Sequence, residues 1–387
     1  MIKVSAPGKL MLFGEHAVVY GKPCIVTAID QRISVLLEKK GGEKIYLNTR
    51  AAAKGGEEDL SSSNTRAAAK GGEEDKSSSN TRAVDEGEAL ISTFASFRKL
   101  GKRRVEKNEC SSTDTQDVNI KNYVIFLNDL DKPYPKEISF VLASIKNFFE
   151  KYSLKSGLEI KTGGGFSSKF GLGSSSAITV SIIKGLAELF RIKINKKELF
   201  SLAYKTVLDV QGMGSGFDLA AAIYGGTLFF VTGGKVIEPM KVSEPPIIIG
   251  YTGIKADTST LIKMVQKKLQ KEPEKINKIF DEIEEIVNFA KIEIENSHWE
   301  KVGELMNLNQ ELLRKLGVSS EKLENLIKAV LKSGALGAKL SGAGGGDCMI
   351  AIANRENLNN LKIAIEKVGG RVIETKTQAE GVKADSF

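Results

Sequence analysis

Cysteine, histidine and tryptophan are scarce in this chain, and each scarcity closes a class of explanation. Three cysteines, Cys24, Cys110 and Cys348, are scattered along 387 residues, too few and too far apart for a disulfide framework or a zinc ribbon. The two histidines, His16 and His298, are equally isolated, so structural zinc is not expected. Aromatic residues make up 7% of the chain, with a single Trp, and they are not interleaved with basic residues in the way that stacks nucleic-acid bases. No run of five or six like charges marks a nucleic-acid arm. No uninterrupted apolar stretch approaches the roughly eighteen residues that span a bilayer, and Lys3, Lys9 and Glu15 interrupt the apolar start of the chain, unlike a leader peptide. A cytoplasmic protein with neither a nucleic-acid nor a membrane partner is expected. What is present is the balance of a soluble globular chain, 41% hydrophobic and 27% charged, long enough for roughly two domains with a site in the cleft between them. The formal charge of +8 suits a polyanionic ligand, although a mild surplus chiefly affects solubility and steering.

Along the chain, residues 2–7 and 10–13 read as short strands, and 24–38 continues in the β-branched, partly alternating manner of a sheet. The block NTRAAAKGGEEDLSSS at 48–63 is then followed by a near copy at 64–79, differing only in Lys76 for Leu60. Two copies of a polar unit cannot bury a face as solenoid repeats do, so a disordered or weakly helical insertion is expected over about 48–118. Its charge is nearly balanced, which leaves the basic surplus in the folded part. Order resumes near Ile120, with a helix at 136–153, a strand at 157–162, a glycine-rich loop at 163–173 and a helix at 175–190 opening with serines suited to capping. A helix at 196–209, a glycine turn at 212–218, a small-residue helix at 219–224 and a strand at 227–231 follow. Gly-Gly and Pro-Pro punctuation over 233–245 suggests a boundary between domains at 1–235 and 245–387. Beyond it come a strand at PIIIGYTG, amphipathic helices over 255–333, and a strand, turn, strand, helix, strand series over 336–376, the pattern of a split βαβ unit in an α+β domain.

Four segments could carry chemistry. The loop Gly171, Leu172, Gly173, Ser174, Ser175, Ser176, Ala177 lies between a strand and a helix start, where backbone N–H groups, the helix dipole and hydroxyls converge on an anion. It ends in no Gly-Lys-Ser/Thr and lacks the third Gly of a dinucleotide fingerprint, and a serine-capped helix after a glycine turn explains it equally well. In Gly212-Met-Gly-Ser-Gly-Phe-Asp218 an acid starts a helix, either as a reactive carboxylate or as a complement to the helix dipole. Ser341-Gly-Ala-Gly-Gly-Gly-Asp347 lies between two strands, suiting close approach of backbone to ligand or a plain glycine hairpin. Ser5-Ala-Pro-Gly-Lys9 and Gly14-Glu15-His16, running on to Pro23, form the fourth segment.

In that order, PGK, GEHAVVYGKP, GLGSSSA, GSGFDLAAA and KLSGAGGGD resemble the GHMP-superfamily kinases, specifically their mevalonate kinase and phosphomevalonate kinase branches, over everything but the insertion. The resemblance implies an α+β, two-domain fold, with an N-terminal domain like ribosomal protein S5 domain 2, a C-terminal ferredoxin-like domain, and ATP with Mg2+ meeting a small-molecule acceptor between them. It implies that Gly171 to Ala177 hold the ATP phosphates with the Ser175 hydroxyl near Mg2+, that Asp218 is the catalytic aspartate, and that Lys9 lies beside the acceptor hydroxyl. By the same resemblance Glu15, His16, Gly342, Ala343 and Gly344 border the acceptor. The acceptor so implied is mevalonate, with phosphomevalonate the alternative and a non-catalytic binding relative a third reading; a homodimer is a further open expectation. Two departures stand out. The glutamate that mevalonate kinases carry on the helix before the catalytic turn, as a second Mg2+ ligand, falls on Val207, leaving Asp209 the nearest acid, and Gly163 to Gly165 replace the usual Pro. Lys22, Lys169 and Lys255 are the cations available to a charged acceptor.

Overall fold

The structure, a computed structural model, describes residues 1–50, 120–164 and 170–386. The expected insertion and Lys169 therefore lie outside the described residues, except that the first repeat begins inside a strand rather than a loop.

The chain opens with β1 (Ile2–Phe13), a short 3-10 turn (Ala17–Tyr20), β2 (Pro23–Lys40), β3 (Lys44–Arg50) and β4 (Ile120–Phe126). Next come α1 (Lys136–Tyr152), β5 (Gly157–Gly164), α2 (Ser174–Leu189), α3 (Lys196–Gln211), α4 (Phe217–Tyr224), β6 (Thr227–Val231) and β7 (Val236–Met240). The remainder is β8 (Ile247–Tyr251), α5 (Thr258–Lys271), α6 (Pro273–Glu295), α7 (Trp299–Leu316), α8 (Glu321–Lys332), β9 (Gly337–Ser341), β10 (Cys348–Ile352), α9 (Leu358–Lys367), β11 (Arg371–Ile373) and β12 (Lys383–Ser386).

Two sheets organise these elements. The first runs β12-β1-β2-β5-β3-β4, with β6 on the other half of β2 and β7 beyond it. The second runs β11-β8-β10-β9, antiparallel throughout. In chain order its strands lie fourth, first, third, second, the ferredoxin-like arrangement. The fold is thus the expected α+β one.

The two strands expected at 2–7 and 10–13 are one strand. Its register against β2 shifts between Pro7 and Gly8, and such a bulge absorbs a proline that cannot donate to a ladder. From Val4 to Phe13 every residue is buried, because α2 and α4 cover part of β1 while α6 and β9 reach it from the second unit. A strand covered on both faces has no polar alternation to display.

The division expected at 235–245 meets two strands that cross it. β7, at 236–240, pairs with β6, and β12 returns from the end of the chain to pair with β1. The first sheet therefore includes residues from both sides of that boundary.

Candidate active site

Lys9 sits on β1 with a nearly enclosed side chain, 8% exposed. Its backbone N–H donates to the Leu172 carbonyl at 3.0 Å, and its Nζ donates to the Gly171 carbonyl at 3.1 Å. The same Nζ stands 3.7 Å from Asp218 Oδ1, at ion-pair distance. Asp218 lies in the first turn of α4, where the helix dipole favours a carboxylate. Oδ1 is enclosed and has no hydrogen-bond partner, although the side chain as a whole is 31% exposed. Burial pushes the Asp218 carboxyl above the usual aspartate range, and the Lys9 ammonium pulls it back down. An acid held this way is suited to taking up a proton.

The loop before α2 meets this pair from above. Gly171 and Gly173 both have φ in the left-handed region, 71° and 81°. A Cβ on Gly173 would lie 3.0 Å from Lys9 Cγ, and one on Gly171 would lie 2.4 Å from Asp347 Oδ2. The expectation of a serine cap is corrected here. Gly173 occupies the cap position without a side-chain hydrogen bond, and Ser174 to Ser176 fall in the first helical turn. Among the described residues no capping side chain takes up those N–H groups, so the residues present fit a phosphate. The Ser175 side chain belongs to a partly exposed residue, and Leu172, Ser176 and Ala177 are buried beneath the loop.

The second unit contributes the turn 342–347. His16, itself at φ 60°, points Nε2 at the Ala343 carbonyl at 2.8 Å. Only an N–H can meet that oxygen, so Nε2 carries the proton, and burial holds the imidazole below its usual pKa. Ser341 Oγ donates to the Met11 carbonyl at 2.9 Å and accepts from the Met11 N–H at 3.2 Å. Asp347, buried and at φ 52°, accepts from the Ala256 N–H at 3.0 Å and lies 3.9 Å from Lys255 Nζ. Burial raises its carboxyl above the usual range.

The expected site residues separate into groups. Lys9, Asp218 and the loop 171–177 meet, and the turn at Gly342, Ala343 and Gly344 is held to them through His16. Glu15 is wholly buried and paired with Lys339 of β9. Asp209 is turned toward α1, where its Oδ2 accepts from Asn147 Nδ2 and Lys205 Nζ, each at 2.8 Å. Val207 faces the catalytic turn instead, its Cγ1 being 3.2 Å from where a Gly214 Cβ would stand. Among the described residues no group of three or more His, Cys, Asp or Glu is arranged to hold a metal ion. Lys22 is engaged by Asp281 and Glu284 of α6 at 2.6 and 2.7 Å, which removes it from the cations available to an acceptor. Sequence reasoning missed Lys339 and the anchoring role of Ser341. A lysine inside the apolar strand Gly337–Ser341 was the available signal, since such a residue demands a buried counter-charge.

Comparison with known proteins adds the following. Residues 139–226 match the model for the GHMP kinases N terminal domain, and 290–370 match that for the GHMP kinases C terminal. The chain is 31% identical to the mevalonate kinase of Pyrococcus abyssi over 393 aligned positions, covering 100% of this chain and 98% of that one. It resembles the solved mevalonate kinase of Methanococcus jannaschii with a TM-score of 0.69 at 24% identity, over 97% and 98% of the two chains. The L. major mevalonate kinase, solved in complex with R-mevalonate, is similar with a TM-score of 0.67 at 20% identity, over 98% and 96%.

Proposed function

The chain belongs to the mevalonate kinases, a branch of the GHMP kinases, and from that membership we propose the following reaction and roles. The protein is an ATP-dependent transferase of the mevalonate pathway that phosphorylates the primary alcohol of mevalonate, giving 5-phosphomevalonate for isoprenoid biosynthesis. The observation that supports the assignment of roles is the single ammonium of Lys9 standing between the Gly171 carbonyl and Asp218.

On this reading Asp218 accepts the proton of the acceptor hydroxyl as its oxygen attacks, and the Lys9 ammonium lowers that hydroxyl's pKa and steadies the developing charge. Gly171 to Ala177 cradle the phosphates, with uncapped N–H groups at the start of α2. ATP would supply the phosphoryl group, and the Ser175 hydroxyl, on a partly exposed residue at the start of α2, would help hold Mg2+, whose positive charge would offset that of the phosphates. Most of the barrier reduction comes from alignment and charge neutralisation rather than from proton transfer. His16 shapes the acceptor side through the Ala343 carbonyl. The two functional units are an ATP-binding part formed by the first sheet and its helices, and a second part carrying the glycine turn. We place the reaction in the cytoplasm, where the free, buried Cys24 and Cys348 stay reduced, and a homodimer is the assembly to test by light scattering.

The deciding experiment is a coupled ADP-release assay with ATP and Mg2+, offering mevalonate and 5-phosphomevalonate separately. Turnover with mevalonate supports the reading. Turnover with phosphomevalonate alone replaces the acceptor, and no turnover with either removes the enzymatic reading.

A further inference from the structure

Lys339 and Glu15 are both 0% exposed, 324 positions apart in sequence, and joined as an ion pair between the two units. Lys339 Nζ also donates to the Leu340 carbonyl at 2.7 Å, whereas Glu15 Oε2 is buried without any partner. Taking two charges out of water is expensive, and an apolar pair of similar volume is commonly as stable or more so. A buried carboxylate with one oxygen left unsatisfied is further from a stability optimum still. Something other than fold stability is needed to explain the arrangement.

Its position supplies that explanation. Glu15 ends the segment that follows β1, six residues beyond Lys9, and precedes His16, which bonds Ala343 at 2.8 Å. Lys339 stands two residues before Ser341, whose hydroxyl bonds both backbone groups of Met11. All three contacts join β1 or the segment just after it, Met11, Glu15 and His16, to β9 or the glycine turn that follows it, Ser341, Lys339 and Ala343. The ion pair is the charged and most completely buried member of the three, 0% exposed on both sides, so its attraction is the least screened by water. We propose that the Glu15–Lys339 pair is a positioning element: it sets the turn 342–347 at a fixed distance from Lys9 and Asp218 and thereby shapes the acceptor half of the site, without itself touching substrate. The proposal rests on the kinase reading above.

The decisive variant is Glu15→Leu with Lys339→Met, which removes both charges while keeping an apolar, space-filling interior. The expected result is a folded protein with an unchanged or higher Tm, faster amide hydrogen exchange at 342–347, an acceptor KM raised about tenfold or more, and an ATP KM within about twofold of wild type, since sub-ångström displacement of a bound reactant is costly while the nucleotide loop is untouched. Wild-type exchange and wild-type KM for the acceptor in that folded variant would overturn the proposal, as would equal increases in both KM values. Should the double variant fail to fold, Glu15→Gln, which keeps the shape of the side chain, carries the same expectation and the same refutation. Hydrogen exchange at the turn needs no acceptor, so loss of the positioning role remains distinguishable from a wrong choice of substrate.

Discussion

At the residue scale, the proposed chemistry turns on one carboxylate, Asp218, whose affinity for protons is pulled both ways. Burial of Asp218 raises its pKa and Lys9 lowers it. The active form is the ionised one, so kcat/KM falls as pH drops through that pKa, and the acid limb lies above the range of an ordinary aspartate. Replacing Lys9 with Met removes the lowering influence, and the limb moves to higher pH in addition to any loss of rate; a limb that stays in place would show that the two groups do not interact. Asp218→Asn keeps the size of the side chain but cannot accept the proton, and kcat is expected to fall by about 10²- to 10⁴-fold with little change in ATP KM. Steady-state kinetics at fixed pH check it, and near-wild-type turnover would reassign the base. Both residues were singled out by the resemblance to GHMP kinases, since the glycine-flanked blocks alone left Asp218 equally readable as a complement to the helix dipole, and the structure brings the two to ion-pair distance. Glu15 was singled out by the same resemblance, and the structure shows it wholly buried against Lys339. Its partner is 324 positions away; the apolar strand around Lys339 announces that a buried counter-charge is needed, but nothing in the local pattern says that Glu15 supplies it.

At the element scale, the loop proposed to hold the nucleotide has backbone where side chains would otherwise intrude. Gly171 is at φ 71° with Asp347 Oδ2 2.4 Å from the place of its missing Cβ. Gly171→Ala must therefore both strain the backbone, by about 1–3 kcal/mol, and push the Asp347 carboxylate aside. That carboxylate also accepts from the Ala256 N–H, so the displacement spreads into the segment before α5. An ATP KM raised by about tenfold or more is expected, with the fold retained, and isothermal titration with a non-hydrolysable nucleotide would report it; unchanged affinity would mean that the loop does not contact phosphate. The helices and strands were readable here to within a few residues, since apolar periodicity and glycine punctuation agree in this stretch. Two details were not. Serines at a helix start look like caps whether they occupy the cap position or the first turn, and only the left-handed Gly173 decides between the two. Asp209 was two residues from the position that matters, and a helix turns such a neighbour onto another face, here toward Asn147 and Lys205.

At the scale of the whole molecule, residues 383–386 close the sheet that carries Lys9. β12 pairs with β1 from Ile2↔Ser386 to Ser5↔Lys383. Ahead of it, the Gly226 N–H donates to the Ala379 carbonyl at 2.9 Å, and the Ala379 N–H donates to Ala28 at 3.2 Å. Arg32 adds hydrogen bonds to the Glu380 and Gly381 carbonyls, both at 2.7 Å, while also holding the Ser5 carbonyl at 2.8 Å. A four-residue strand is too short to stand out in sequence, and its partner lies at the opposite end of the chain, which is why this closure was invisible beforehand. Ending the chain at Lys376 removes all of these contacts but that of Arg32 to Ser5 and leaves β1 as a bare edge over the stretch leading to Lys9. Edges of this kind pair with other chains, and hydrogen bonds of this type contribute about 1 kcal/mol each. The truncated protein is therefore expected to lose several degrees of Tm and to self-associate, seen by thermal unfolding and light scattering, while adding ATP recovers part of the Tm because the nucleotide loop is intact and ligand binding stabilises the folded state. A monodisperse truncated protein with the Tm of the full chain would show that β1 is held by β2 and the helices alone, and that the returning strand has no part in supporting Lys9.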